Sequence, residues 1–102
     1  FSEQLQPLKG LTITTLQLPN ATKNEFYSAQ LGGWGGNKPY TWTIYNRTLH
    51  EGLVLNPDGV INGTPIVKGI RIVDIKVEDA SVSPYHGGSQ SFIRYFTFYV
   101  ND

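Results

Sequence analysis

From Val73 to Glu78 the chain alternates without a break: Val73, Ile75 and Val77 are apolar, while Asp74, Lys76 and Glu78 are charged. A period of two puts successive side chains on opposite faces of an extended strand, so this segment has one buried face and one wet face. Shorter segments of the same kind recur along the chain. None carries an apolar period of 3.6 over more than two turns, which removes the helix as a main element. Residues 11–16 place Leu11 and Ile13 on one face with threonines opposite, and Pro19, which cannot donate to a sheet ladder, stops the run. Residues 26–31 end at Gly32-Gly33. Residues 40–45 alternate Tyr40, Trp42 and Ile44 with Thr41 and Thr43 and end at Asn46, reading as a half-buried strand centred on a tryptophan.

Leu53-Val54-Leu55 leads into Asn56-Pro57-Asp58-Gly59, where Pro57 fits the second place of a type I turn and Gly59 the fourth. Val60-Ile61 is a short return strand. Asn62-Gly63 is expected to form another tight turn, with Pro65 behind it. Gly69 opens the strand over residues 70–78. The last segment, residues 92–100, places Phe92, Phe96, Phe98 and Val100 on one face, with Arg94 the exception, and Ile93, Tyr95, Thr97 and Tyr99 on the other. Seven short strands at roughly 8 to 12 residue spacing, with no helix for a parallel crossover, predict an antiparallel sandwich or barrel. Trp42 on the third strand favours the sandwich, because immunoglobulin-like sandwiches bury a tryptophan there against the facing sheet.

The chain has 102 residues, enough for a single domain and one core but not for a core plus a deep catalytic cavity. Hydrophobic residues make up 39%, aromatic residues 13%, and the formal net charge is zero. That balance argues against disorder and against attraction to nucleic acid or an anionic membrane. No apolar run approaches the ~20 residues that cross a bilayer, and no signal-peptide pattern opens the chain. A start at Phe1 is what a piece of a longer polypeptide, or a processed product, would show. Cysteine is absent, so neither a disulfide framework nor a thiolate metal site is available.

Several motifs in order resemble one family. Tyr27-Ser28-Ala29-Gln30-Leu31, Gly35-Gly36, Pro39-Tyr40-Thr41-Trp42-Thr43-Ile44, Gly52-Leu53, Leu55, Gly59-Val60-Ile61 and Gly63-Thr64-Pro65 are followed by Gly69, Val73, Ile75, Val77 and Glu78-Asp79-Ala80. This series, covering most of residues 11–100, resembles the immunoglobulin-like (He_PIG) modules of bacterial surface proteins, related in fold to cadherin-like domains. The resemblance implies an all-β, antiparallel, immunoglobulin-like (cadherin-like) β-sandwich of about seven strands over residues 1–102, in an extracellular and often tandem setting. It implies no fixed ligand. Two departures are Leu49-His50-Glu51-Gly52-Leu53 after the third strand and a long loop over residues 80–91 containing Tyr85-His86-Gly87-Gly88.

Catalysis needs convergent groups, and His50 and His86 fall in separate expected loops; Ser89 near His86 lacks a nucleophile-elbow pattern. His50, Glu51 and His86 have no spacing that fixes a zinc ligand set. Calcium, a hard ion, suits the carboxylates Glu78, Asp79 and Asp102 at a junction between cadherin-like modules; alternatively Asp79 caps a turn and Asp102 begins a linker. Trp34, within Gly32-Gly33-Trp34-Gly35-Gly36, is expected in a loop too glycine-rich for a strand. There its indole either meets a ligand, with Tyr85 and His86 contributing, or folds back as a cap. The Asn-x-Thr triplets at Asn20, Asn46 and Asn62 are glycosylation candidates only in a eukaryotic secreted protein.

These features lead to a non-catalytic spacer or adhesion module of a larger extracellular or cell-surface protein, partnered by neighbouring domains. The alternative is a carbohydrate- or protein-binding module that uses exposed loop aromatics. Neither needs a cofactor other than calcium.

Overall fold

The computed structural model describes residues 10–80 and 90–102. Among them are nine strands and no helix: β1 (Thr12–Ile13), β2 (Ala21–Thr22), β3 (Tyr27–Gln30), β4 (Gly33–Trp34), β5 (Thr41–Asn46), β6 (Leu53–Leu55), β7 (Val60–Gly63), β8 (Gly69–Glu78) and β9 (Ser91–Asn101). They form a four-stranded sheet in the order β2-β9-β8-β5, a three-stranded sheet β3-β7-β6, and a ribbon β1-β4.

The strongest alternation in the sequence builds the longest pairing. β8 and β9 run antiparallel without a slip from Gly69↔Val100 to Glu78↔Ser91. Val73, Ile75 and Val77 are fully buried, and Phe96, Phe98 and Val100 bury beside them. β5 covers the other edge of β8, with Trp42 opposite Val77. Tyr27, Leu53 and Ile61 of the three-stranded sheet point into the same core, where the Tyr27 and Phe98 rings sit 5.3 Å apart. The architecture is therefore a β-sandwich, with the two main sheets packed through one apolar layer.

Three details depart from the expected arrangement. β2 runs parallel to the end of β9, Ala21↔Val100 and Thr22↔Asn101, so the sandwich is not wholly antiparallel. The residues after Pro19 show no alternation that would announce this strand; Leu18 and Ala21 are simply buried one after the other. Asn62-Gly63 is not a turn but the end of β7, paired with β3 and β6. The positive φ that Asn-Gly signals is present at Gly63 (131°), within the strand, where a side chain would strike the Gly52 carbonyl. The nearby turn comes earlier: Leu53 N–H donates to His50 O at 3.1 Å and Gly52 has φ 97°, the third place of a type II turn. Finally, the strand expected over residues 11–16 shrinks to Thr12–Ile13 and leaves Leu16 exposed. The turn at residues 56–59 forms as expected, with Gly59 N–H donating to Asn56 O at 2.9 Å.

Tyr27 anchors the chain before β2. Its hydroxyl donates to Pro19 O at 2.7 Å, and burial pushes its pKa from 10.0 up to about 12. A phenol that ionises later in the folded state contributes stability that is complete below pH 10 and lost as pH rises toward 12, because the folded chain then holds the extra proton. Tyr27→Phe should cost about 1 kcal/mol below pH 10, through the lost hydrogen bond and an orphaned carbonyl. Urea midpoints of parent and variant should converge between pH 10 and 12; a gap that stays constant would show that the hydroxyl does not titrate with folding.

Candidate functional site

Of the three residues selected as binding candidates, Tyr85 and His86 lie outside the described residues, as does Ser89. Trp34 is described, and its setting corrects the loop expectation. It belongs to β4, with Thr12↔Trp34 and Ile13↔Gly33 in antiparallel register. The glycines make this possible: a side chain on Gly33 would come within 3.0 Å of the Tyr40 ring. Gly35 and Gly36 turn the chain at φ 89° and 59°, and the Tyr40 hydroxyl donates to Gly35 O at 2.7 Å. The Trp34 side chain is held on this ribbon with half of its surface exposed, 52%. Trp42, by contrast, is core, edge-on to Tyr40 at 6.5 Å.

The calcium candidates do not converge. Glu78 and Asp79 close one end of β8 while Asp102 follows β9, and antiparallel pairing puts these ends ten strand positions apart, roughly 30 Å at the rise of an extended chain. Asp102 meets Lys68 at 3.3 Å, and Glu78 meets Lys76 at 3.9 Å. Asp79 is buried. Its Oδ2 accepts the Asn37 N–H at 3.0 Å and its Oδ1 the Gln90 N–H at 2.8 Å. Gly36 lies so close that any side chain there would strike this carboxylate. Among the described residues no three carboxylate or imidazole groups gather as a metal set.

His50 corrects another expectation. It is buried instead of sitting in an open loop: Nε2 is 2.7 Å from Gly69 O, the ring stands edge-on to Phe98 at 5.6 Å, and Nδ1 has no hydrogen-bond partner. Its neighbour Glu51 faces solvent, and bonding to its own backbone together with Arg71, 3.0 Å away, holds its carboxyl below the usual range. Of the glycosylation triplets, Asn20 and Asn46 are exposed, whereas Asn62 sits within β7 and accepts from Asn56 Nδ2 at 3.2 Å.

A groove that sequence reasoning missed lies along β9. Leu11 N–H reaches the Gln90 side chain, and ten residues on Ala21 pairs with Val100, so this stretch accompanies β9 at one constant offset. Between these points it bows away, because Thr14 N–H donates to Gly32 O and Thr15 Oγ1 accepts the Gly32 N–H, both at 2.8 Å. The opening is a groove of about 630 Å³ lined by residues that include Leu16, Gln17, Asn20, Arg94, Tyr95 and Thr97. Its one sequence signal was Arg94, the charged residue on an otherwise apolar face.

No protein-family model matches the chain. None of the curated proteins matches it. Among solved structures, one from Bacteroides fragilis NCTC 9343, named as an alpha-galactosidase/melibiase, is similar with a TM-score of 0.72 at 20% identity. The likeness covers 91% of this chain but only 18% of that one. At this identity it is a likeness of fold.

Proposed function

We propose that the chain is a non-catalytic, immunoglobulin-like structural module of a larger extracellular or cell-surface polypeptide. The observation that carries this reading is the unequal coverage: nearly the whole chain is similar to less than a fifth of a much longer protein. Strand order supports the finer fold, since β3-β7-β6 and β5-β8-β9 correspond to the B-E-D and C-F-G groupings of immunoglobulin sandwiches. The buried partners of Asp79 and His50 point the same way, because the groups that could do chemistry are engaged in holding loops and core. The purified chain is expected to release no nitrophenol from aryl α-galactosides, and antibodies against it are expected to label intact source cells. Turnover that copurifies with the chain, or antigen found only after lysis, would overturn the reading.

One observation favours carbohydrate binding as a second reading. The exposed Trp34 side chain is fixed on the β1-β4 ribbon, and an aromatic face can stack on a ligand. On a glycan array, Trp34→Ala should then abolish whatever signal the parent gives while shifting stability by less than about 0.5 kcal/mol, as surface substitutions do. A parent chain silent across the array removes this reading and leaves the structural one.

A further inference from the structure

The groove along β9 is the open edge of a sheet. Within a strand, the N–H and C=O of one residue point to the same side and those of the next residue to the other. Gln90 O accepts from Asp79 N–H on the β8 side, whereas Asn101 O accepts from Lys23 N–H on the β2 side. The β8-β9 register runs unbroken between them, so the even-numbered residues bond to β8 and the odd-numbered ones face away. β2 runs beside only the end of β9, in register with Val100 and Asn101, where Asn101 O is taken up by Lys23 N–H. Ile93, Tyr95 and Thr97 therefore present their backbone donors and acceptors to the groove, with no ladder partner among the described residues. An unpaired edge of this kind is a template for another extended chain.

The groove also selects what could lie in it. Leu16, Gln17 and Asn20 line its other side, so an added segment would lie between them and β9. Its volume is within the usual range of ligand sites. Among its lining residues is Arg94, from the apolar face of β9, its guanidinium carbon 5.7 Å from the centre of the Phe92 ring. Arg94 Nε is buried without a hydrogen-bond partner, and no acidic side chain pairs with this residue among the described residues. A buried guanidinium donor lacking an acceptor is complemented by a carboxylate. Leu16 and Tyr95 at the rim suit flanking apolar or β-branched side chains.

We propose that this module binds an extended segment of a partner protein, which adds a strand to the free edge of β9 and places an Asp or Glu carboxylate against Arg94. The site is separate from Trp34 and stands whether or not that residue binds carbohydrate.

The probe is the peptide acetyl-Thr-Val-Thr-Glu-Thr-Val-Thr-amide, which reads the same in both directions and so assumes neither a parallel nor an antiparallel added strand. With the full chain at saturating peptide, hydrogen exchange at the Ile93, Tyr95 and Thr97 amides should slow at least about tenfold, since solvent-facing donors become ladder donors. The same peptide with Gln for Glu should bind about five- to tenfold more weakly, and Arg94→Gln should remove that preference. The same peptide N-methylated at every residue, which has no backbone N–H to donate from either edge, should not bind, and this arm leaves the protein unaltered should Arg94→Gln fail to fold. No protection at millimolar peptide, or equal binding of the Glu and Gln forms, would overturn the proposal. Protection of the three amides in the free chain would also overturn it, in favour of self-association if it grows with chain concentration and of an edge already covered by the chain itself if it does not.

Discussion

Trp42→Ala is expected to remove about 3 to 5 kcal/mol of stability, the range for truncating a large aromatic in a core. The ring is 3% exposed and packs edge-on to Tyr40. It also closes the gap between β5 and the turn at residues 56–59: a side chain built on Gly59 would come within 2.9 Å of the indole Nε1, and Trp42 N–H donates to Pro57 O at 3.0 Å. Truncation would therefore open a cavity between the four-stranded sheet and that turn, at a place where neighbours are held by backbone bonds and cannot collapse inward. A domain of this length has roughly 5 to 15 kcal/mol to lose, so the urea midpoint should fall by about a fifth or more. Trp34→Ala is the internal control, with a midpoint near the parent's. An unchanged midpoint for Trp42→Ala would refute the core register described above.

How far the sequence reveals the fold depends on whether a residue's environment repeats. Val73, Ile75 and Val77 sit on one buried face at a spacing of two, and the structure buries all three completely. The pattern and the burial are the same fact seen twice. β2 is different: two residues pairing in parallel at the end of β9 leave no period to detect. Asn62-Gly63 misleads for another reason. The dipeptide reports a need for positive φ, but that need arises from the close approach of the Gly52 carbonyl, a contact between residues brought together only by the pairing of β6 with β7. Trp34 shows the same limit, since its flanking glycines make room for the Tyr40 ring and the Asp79 carboxylate instead of releasing the chain as a loop.

The candidate sites were less legible because each depends on which ends of strands meet. Glu78-Asp79 and Asp102 appear in sequence as acidic groups following two strands; antiparallel pairing of those strands sends them to opposite ends. His50 appears in a turn, yet the turn folds its ring under Gly69 and against Phe98. Arg94 was the one informative irregularity. A charged residue among Phe92, Phe96 and Phe98 must find either a partner or an opening, and in the structure it stands beside the groove.

Asp79→Ala is expected to cost about 2 to 4 kcal/mol, although Asp79 lies near the end of its sheet. Its carboxylate joins three separated pieces of chain: the turn after β4 through Asn37 N–H, the start of β9 through Gln90 N–H, and its own position after β8. Backbone bonds reinforce the same knot, with Asp79 N–H donating to Gln90 O at 3.0 Å and Ala80 N–H to Asn37 O at 2.8 Å. Hydrogen bonds to a charged acceptor are worth more than neutral ones, and removing the acceptor leaves two amide donors partly buried without a partner. Asp79→Asn should recover only part of the loss, because one of its two positions becomes a donor facing another donor. Amide exchange at Asn37 and Gln90 should accelerate in both variants, while exchange in the middle of β8 should change only as far as global stability falls. The same geometry predicts a negligible response to calcium. An ion that takes six to eight oxygens would have to draw Asp79 away from these amides, and Asp102 is too far along the sheet to help. In matched ionic strength, millimolar calcium against EDTA should leave the parent's melting temperature unchanged. A rise above about 5 °C, near 1 kcal/mol for a domain of this size, would mean that the chain itself holds a complete calcium site.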